Sequence, residues 1–513
     1  MKQQNNQDGT TAKSKYESLK SIRQNVENRA ETYANWTIPN IFPDTSSQDS
    51  DSLTKFLNSI GAEALNNLTN KLLLALFSPG TPFFRIELTP EAKNNAMQAL
   101  GLEQEVELDV ILSRIEKECM KQLGRKGLRS AMFSTIQQIV VTGNALVYYP
   151  PENTDIVVYT LRDFVLERDS YGIVQQIIIQ DKRVFKTLPD DTKQMLLKGK
   201  SYKDDDEVSY YVWIKKEGTK YYLDQYLEDI LLTDEETRGI YTEDNLPYFP
   251  VAWRLARGHN YGTSLVEEYA GDFKALEILV ESFVKGLAVA ADLKQLVNPS
   301  GLTDIDDLVS SEFGAYVLGR AEDITVPQSN KGADYQLLYQ GIEMFTTRIA
   351  RAFLLSNMVT RNAERVTAFE IQQQINELET ALGGVYTRLA AALQQPLATL
   401  SMKEINSELT PLNGVEPVVI TGIDAISRFN EMSNVQLWLQ DLGMLNSLPQ
   451  PALQALNLVQ LGSYMGSSRG VEVDKFVKSE EQIQAEQEAA MQQQMQMQGQ
   501  EAMQGAMAET INQ

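Results

Sequence analysis

The residues that usually carry chemistry are scarce in this chain. There is one histidine, His259, in a Gly-His-Asn turn, and one cysteine, Cys119, in line with Ile111, Ile115 and Leu123 at helical spacing. A lone thiol in an apolar stripe reads as core rather than nucleophile, and it excludes an internal disulfide. One His and one Cys cannot complete a His/Cys zinc site within one chain, and neither has a neighbouring base for a hydrolytic triad. Lys198-Gly199-Lys200-Ser201 ends like a phosphate loop, but Gln194 stands where the first glycine belongs and no buried strand leads into it. The run Asp204-Asp205-Asp206-Glu207 reads as a solvated loop beside a strand rather than a metal site. An ATPase or nuclease needs a complete phosphate loop or a carboxylate cluster on strands, and the sequence offers neither. No catalytic residue, cofactor or metal is expected.

What remains is a set of cations and polar groups in one loop. SNMVTRNAER contains Asn357, Thr360, Arg361, Asn362 and Arg365, whose short polar side chains compete for backbone hydrogen bonds and favour a loop. The two arginines would either touch passing phosphates or pair with Glu364 or Glu370. The elements on each side are helical. Before the loop, Leu338, Ile342, Phe345 and Ile349 recur at steps of three and four. After it, Thr367-Ala-Phe-Glu370 is a capping box, and Ile371, Ile375, Leu378, Leu382, Val385, Leu389 and Leu393 continue one stripe. Gly383-Gly384 interrupts that stripe and predicts a kink. Upstream, a rod from Gly262 to about Lys294 carries Leu265, Val266, Tyr269, Phe273, Leu276, Leu279, Val280, Phe283 and Leu287. About 30 helical residues span about 45 Å. Lys285 and Lys294 on that rod would present a basic ring or pair with Glu281 and Asp292.

The run AFLLSNMVTRNAERVTAFEI followed by ELETALGGVY resembles the stem, tunnel-loop and long-wing-helix segment of podovirus (autographivirus-type) portal proteins, the head-to-tail connectors of short-tailed phages. The resemblance covers most of the chain. It implies an α+β, mainly helical fold with wing, stem, clip and crown, a long kinked wing helix and an inserted antiparallel β module. It also implies a ring, usually of twelve copies, around a channel for double-stranded DNA. The corresponding segments are a wing at 1–261, stem helices at 262–296 and 334–355, and a clip at 297–333 between them. A tunnel loop at 356–366, a wing return at 367–423, a crown at 424–478 and an acidic tail at 479–513 complete the chain. The clip, with Asp304, Asp306, Asp307, Glu312 and Arg320, would receive the terminase packaging motor and later the tail adaptor. Scaffolding, major capsid and internal core proteins are the other implied partners. The implied location is a capsid vertex of the virion, with the host cytoplasm as the place of assembly.

Charge alone reads as solubility; if the chain meets DNA, the same balance implies sliding rather than gripping. The 513 residues carry 46 Lys and Arg against 69 Asp and Glu, a net charge of −23, whereas proteins that hold nucleic acid do so through clustered cations. The N-terminus has no apolar signal core, and the densest apolar run, Leu72 to Phe77, is far short of the about 20 residues needed to span a bilayer. The periodicity predicts a first helix over 13–34 with Tyr16, Leu19 and Ile22 on one face, and a second with Phe56, Leu57, Ile60, Ala64, Leu68 and Leu72. A helix with Val106, Val110, Ile111, Ile115 and Leu123 follows, then one from Leu128 to Val140. From Ala145 to Leu227 the period switches to two, with turns at Asp169–Gly172 and Lys216–Thr219. Short strands are predicted around Ala315 to Leu318, Ile324 to Val326 and Val415 to Ile420, and an acidic turn at Asp304–Asp307. Crown helices are expected over 424–445, 450–461 and 471–476. A helical adaptor or scaffolding protein is the competing reading, but it gives no account of the β module or of the loop between rods.

Overall fold

The computed structural model describes residues 11–43, 58–78, 82–101, 105–151, 154–197, 201–233, 237–291, 296–312, 315–325, 332–355, 377–378, 380–406, 418–421, 435–444 and 458–468. They fall into two units, 1–422 and 423–513.

In the first unit, helix α1 (Ala12–Trp36) starts behind Thr11. The Thr11 hydroxyl accepts from the Ser14 amide at 3.2 Å while the Ser14 hydroxyl accepts from the Thr11 amide at 3.1 Å, satisfying two orphan donors reciprocally. Its buried stripe is Tyr16, Leu19, Arg23, Glu27 and Ala30. Ile22, expected on that face, is 59% exposed. The stripe passes through Arg23 instead, because the Arg23 guanidinium donates to the carbonyls of Arg162 (2.9 Å) and Phe164 (2.7 Å). Helix α2 (Ile60–Leu76), strand β1 (Phe84–Glu87) and helices α3 (Pro90–Leu100), α4 (Glu105–Arg125) and α5 (Leu128–Val141) follow. In α4 the buried line is Leu108, Leu112, Ile115, Cys119 and Leu123, while Val110 faces solvent. The predicted face was therefore displaced: taking Val110 into the stripe rotated it away from Leu108 and Leu112.

The β module has strands β2 (Asn144–Tyr148), β3 (Val157–Tyr159), β4 (Phe164–Arg168), β5 (Val174–Val184), β6 (Glu207–Glu217), β7 (Lys220–Leu227), β8 (Ile230–Leu231), β9 (Arg238–Thr242) and β10 (Tyr248–Ala252). All pairings are antiparallel. One sheet runs β10-β2-β3 and the other β4-β5-β6-β7-β8 with β9 also on β7. Gly172 (φ 89°) and Gly218 (φ 62°) sit in the turns where the sequence places them, in a left-handed backbone open to glycine at little cost. Between β5 and β6 lies a short helix α6 (Asp190–Leu197). Helix α1 lies across the larger sheet, where Tyr16 and Leu19 meet Val165, Ile178, Tyr211 and Trp213.

The predicted first rod is two helices, α7 (Leu265–Glu268) and α8 (Ala270–Ala291), separated at Tyr269, which leaves helical geometry (φ −109°, ψ 15°). Beyond it come β11 (Leu296–Val297), α9 (Ile305–Ser310) and β12 (Ile324–Thr325), and then α10 (Gly332–Ala352) returns antiparallel to α8. The acidic turn is thus a helix: Asp304 accepts from the amides of Asp306 (3.0 Å) and Asp307 (3.4 Å) and caps α9. No ladder forms at 315–318, since β12 already pairs with β11.

Leu378, Leu382, Val385, Leu389 and Leu393 are all buried, as the stripe predicts. The helix itself is not continuous. Gly383 (φ 61°) and Gly384 (φ 78°) are both left-handed, which ends the hydrogen-bond ladder outright instead of bending it, and α11 (Val385–Leu389) starts afresh. A π turn at Ala390–Gln394 then leads into α12 (Gln395–Asn406), widening the helix just before Pro396, which has no amide to return to the preceding turn. Strand β13 (Val418–Thr421) pairs with β1.

In the second unit, residues 435–444 and Leu458–Ser468 are helical, and the Trp438 indole donates to the Gly462 carbonyl at 2.9 Å. The helix expected to end at 461 thus runs on to Ser468. Residues 471–476 and 479–513 lie outside the described residues.

Candidate functional site

The hairpin of α8 and α10 is built from facing aromatic and small residues. Phe283 meets Tyr335 and Tyr339, and the Tyr335 hydroxyl donates to the Gly286 carbonyl at 3.0 Å. At the root, Phe273 packs edge-on against Phe353 and Asp272 pairs with Arg348 at 3.1 Å. A methyl at Gly286 would lie 2.5 Å from the Tyr335 ring, so only glycine lets the helices approach this closely.

These contacts fix the rotation of both helices, and at about 100° per residue the remaining faces follow. One flank of the hairpin carries Ile278 and Val289 from α8 with Leu337 and Met344 from α10. The opposite flank carries Val284 and Leu287 from α8 with Tyr339 from α10. All seven are exposed. The two ridges that point away from the hairpin seam are polar: Lys274, Glu281 and Lys285 on α8, and Gln336, Gln340, Glu343 and Thr347 on α10. Lys285 is bound to Glu281 on the exposed face of α8. Lys274 and Arg351 have no ion-pair partner among the described residues.

The end of α10 is held by α2. Leu354 adopts φ 54°, a left-handed conformation that costs a leucine about 1–2 kcal/mol. Its carbonyl accepts from Asn67 Nδ2 at 2.9 Å and Lys71 Nζ at 2.8 Å, and Asn67 also reaches the Phe353 carbonyl at 3.3 Å. Lys71 Nζ lies 3.9 Å from Glu377. Farther along α2, the carbonyl of Ala75 accepts from Tyr386 and that of Leu76 from Gln394. Sequence reasoning missed Asn67 and Lys71. Their only signal is a polar pair at i, i+4 on a helix whose neighbouring turns are apolar.

Asn357, Thr360, Arg361, Asn362, Arg365, Thr367, Glu370 and Lys294 lie outside the described residues. In the excursion between α8 and α10, Asp306, Asp307, Glu312 and Arg320 are exposed, while Asp304 serves the cap. The organising carboxylate there is Asp323, which accepts from the Thr303 hydroxyl (2.8 Å) and the amides of Leu302 (3.0 Å) and Thr303 (3.2 Å). The Thr303 hydroxyl above all, helped less strongly by the two amides, holds its carboxyl below the ordinary range against the opposing effect of burial. A depressed carboxylate contributes stability above its unfolded pKa and loses it as pH falls through the folded value. Asp323→Ala is expected to speed amide exchange at Leu302 and Thr303 about tenfold at neutral pH. The wild type should lose the same protection only under acid conditions; equal rates in both proteins at neutral pH would remove Asp323 from this role.

Elsewhere, burial pushes the Cys119 thiol up to about 11, which suits a core residue. Among the described residues no three His, Cys, Asp or Glu side chains gather to hold a metal, and no helix is long and apolar enough to cross a membrane.

The family described as Bacteriophage head to tail connecting protein matches residues 9–475. The chain is similar to the portal protein of Enterobacteria phage T3, 34% identical over 483 residues that cover 92% of this chain and 89% of that one. It is 33% identical to the portal protein of Escherichia phage T7, with 92% and 89% covered, and 31% identical to that of Enterobacteria phage SP6, with 91% and 90% covered. The solved neck of an empty GTA particle covers 84% of this chain and 95% of that chain at 13% identity and a TM-score of 0.37, a superposition too loose to argue from. With relatives matched over nine-tenths of its length, this two-flanked helical hairpin on a mixed α+β body is part of a member of the bacteriophage head to tail connecting family, to which the chain belongs.

Proposed function

We propose that copies of this chain close into a ring, of twelve by analogy with the family, that forms the portal at one capsid vertex and passes double-stranded DNA. The observation that carries this reading is the hairpin with apolar side chains on both flanks and polar side chains on both outward ridges. A closed head-to-tail ring needs two unlike sticky sides on each subunit, and it leaves one ridge for the lumen and one for the outside. The acidic balance of the chain supports passage without capture, since repulsion of phosphates is felt only within about 8 Å at physiological salt. Asn357, Thr360, Arg361, Asn362 and Arg365 are proposed to touch the duplex from the loop that follows α10.

The excursion between α8 and α10 is the proposed dock for the terminase motor and then the tail adaptor. Its exposed Leu302, Val309, Tyr316 and Leu318 support a protein contact more strongly than its acidic residues do. Scaffolding, major capsid and internal core proteins are proposed to meet other surfaces, and assembly is proposed to take place in the host cytoplasm. No chemistry is assigned to a single copy.

Val284 and Leu337 stand on opposite flanks, and the only native cysteine is buried. The double variant Val284→Cys with Leu337→Cys is therefore expected to cross-link between copies under oxidation, giving a ladder up to the full ring on a denaturing gel. Exclusively intramolecular bridges, or monomers and dimers alone by sizing and negative stain, would defeat the ring.

A further inference from the structure

Among the described residues, Lys71 contacts both Leu354, at the end of α10, and Glu377. Its ammonium donates to the Leu354 carbonyl at 2.8 Å and lies 3.9 Å from the Glu377 carboxylate. The side chain is 15% exposed, so the hydrogen bond to the Leu354 carbonyl is made partly out of water, where a charged hydrogen bond is stronger than at the surface. Its stem runs along α2, which is itself fastened to α5 and, through Ala75 and Leu76, to residues 386–394. The ammonium donates to the carbonyl, while at 3.9 Å the Glu377 carboxylate is held by charge attraction rather than by a hydrogen bond. The strained Leu354 is a second sign that this point is held by its surroundings, because a left-handed leucine persists only where neighbouring groups over-determine it.

We propose that Lys71 is a positioning residue: it fixes the spacing between Leu354 and Glu377, and so sets where the DNA-contacting loop of the portal is rooted. The proposal rests on the ring reading above for its function, but the clamp itself does not depend on it. Asn67 assists at the α10 end only. Glu377, half-exposed, contributes at the other end only.

The test is hydrogen exchange on the assembled protein for the stretches 350–355 and 377–382. Lys71→Met keeps the stem and removes the charge. It is expected to accelerate exchange about tenfold in both stretches at once, with Lys71→Arg restoring most of the protection. Glu377→Gln, which removes only the far contact, is expected to loosen 377–382 and leave 350–355 as in the wild type. This variant changes an exposed carboxylate and keeps the test alive should Lys71→Met fail to fold. Acceleration of 350–355 alone in Lys71→Met would overturn the clamp, and so would unchanged exchange at 377–382 in Glu377→Gln. Failure of the wild type to form a ring would instead strike the functional reading, leaving the exchange result to judge the clamp.

Discussion

Glutamate in place of both Leu337 and Met344 is expected to yield folded monomers and no ring. These side chains are 67% and 51% exposed in the single chain and contribute nothing visible to its core. Their removal should therefore leave the melting of the monomer within about 0.5 kcal/mol of wild type. In a ring each would be covered by the next copy, where a large apolar side chain contributes about 1.5–3 kcal/mol. Losing two weakens every interface by at least about a hundredfold, and the introduced carboxylates add a desolvation cost without a partner. Every copy carries the same change, so no intact junction remains to seed closure. Sedimentation velocity should show a single small species with unchanged circular dichroism. A full-sized ring from this variant would mean that the flank of Leu337 and Met344 is not where copies meet. Val284→Glu with Leu287→Glu on the other flank should behave alike, and mixing the two variants should restore only isolated pairs joined through their intact sides.

The largest effect on the single chain is expected at Arg23. It is fully buried and bound to Glu27, which Arg162 also contacts at 3.0 Å, and Arg162 in turn pairs with Glu31 and stacks over Phe42. Arg23→Ala strands the Glu27 carboxylate with half of its partners, removes the side-chain donor to the Phe164 carbonyl in β4, and leaves the Arg162 carbonyl with the Tyr16 hydroxyl alone. Breaking a buried pair in this one-sided way costs about 3–5 kcal/mol. Arg29→Ala on the exposed face of the same helix, where the partner is Glu267, should cost no more than about 1 kcal/mol. Denaturant melts of the three proteins measure both differences. A loss at Arg23 as small as that at Arg29 would show that α1 is not fastened to the sheet through this network.

The contrast between Ile22 and Arg23 also shows where reading a sequence stops. Periodicity located α1 and even its face to within one residue, but a hydropathy pattern cannot anticipate an arginine buried by carbonyls from a strand some 140 positions away. The β module was legible because alternating residues and Gly-containing turns are local signals, and β2, β4 to β7 and both turns fall where those signals lie. The two-residue strands β8 and β11 are too short to alternate. Gly383-Gly384 was visible as an interruption, yet a kink and a full break share the same two letters and differ only in φ. At the site, the hairpin and its apolar positions were readable, whereas the difference between core and flank was not: Leu287 and Leu276 look alike until the partner helix is in place. Lys71 and Asn67 were silent because their partners are backbone carbonyls, which no side-chain motif announces.

The two flanks of the α8–α10 hairpin are not copies of one another, and that asymmetry has an outcome for any assembly made from them. A surface that is not its own mate forbids a two-fold handshake, so all members must stand the same way up. An annulus closed in the proposed way would have a sense, its two mouths formed by different parts of the chain.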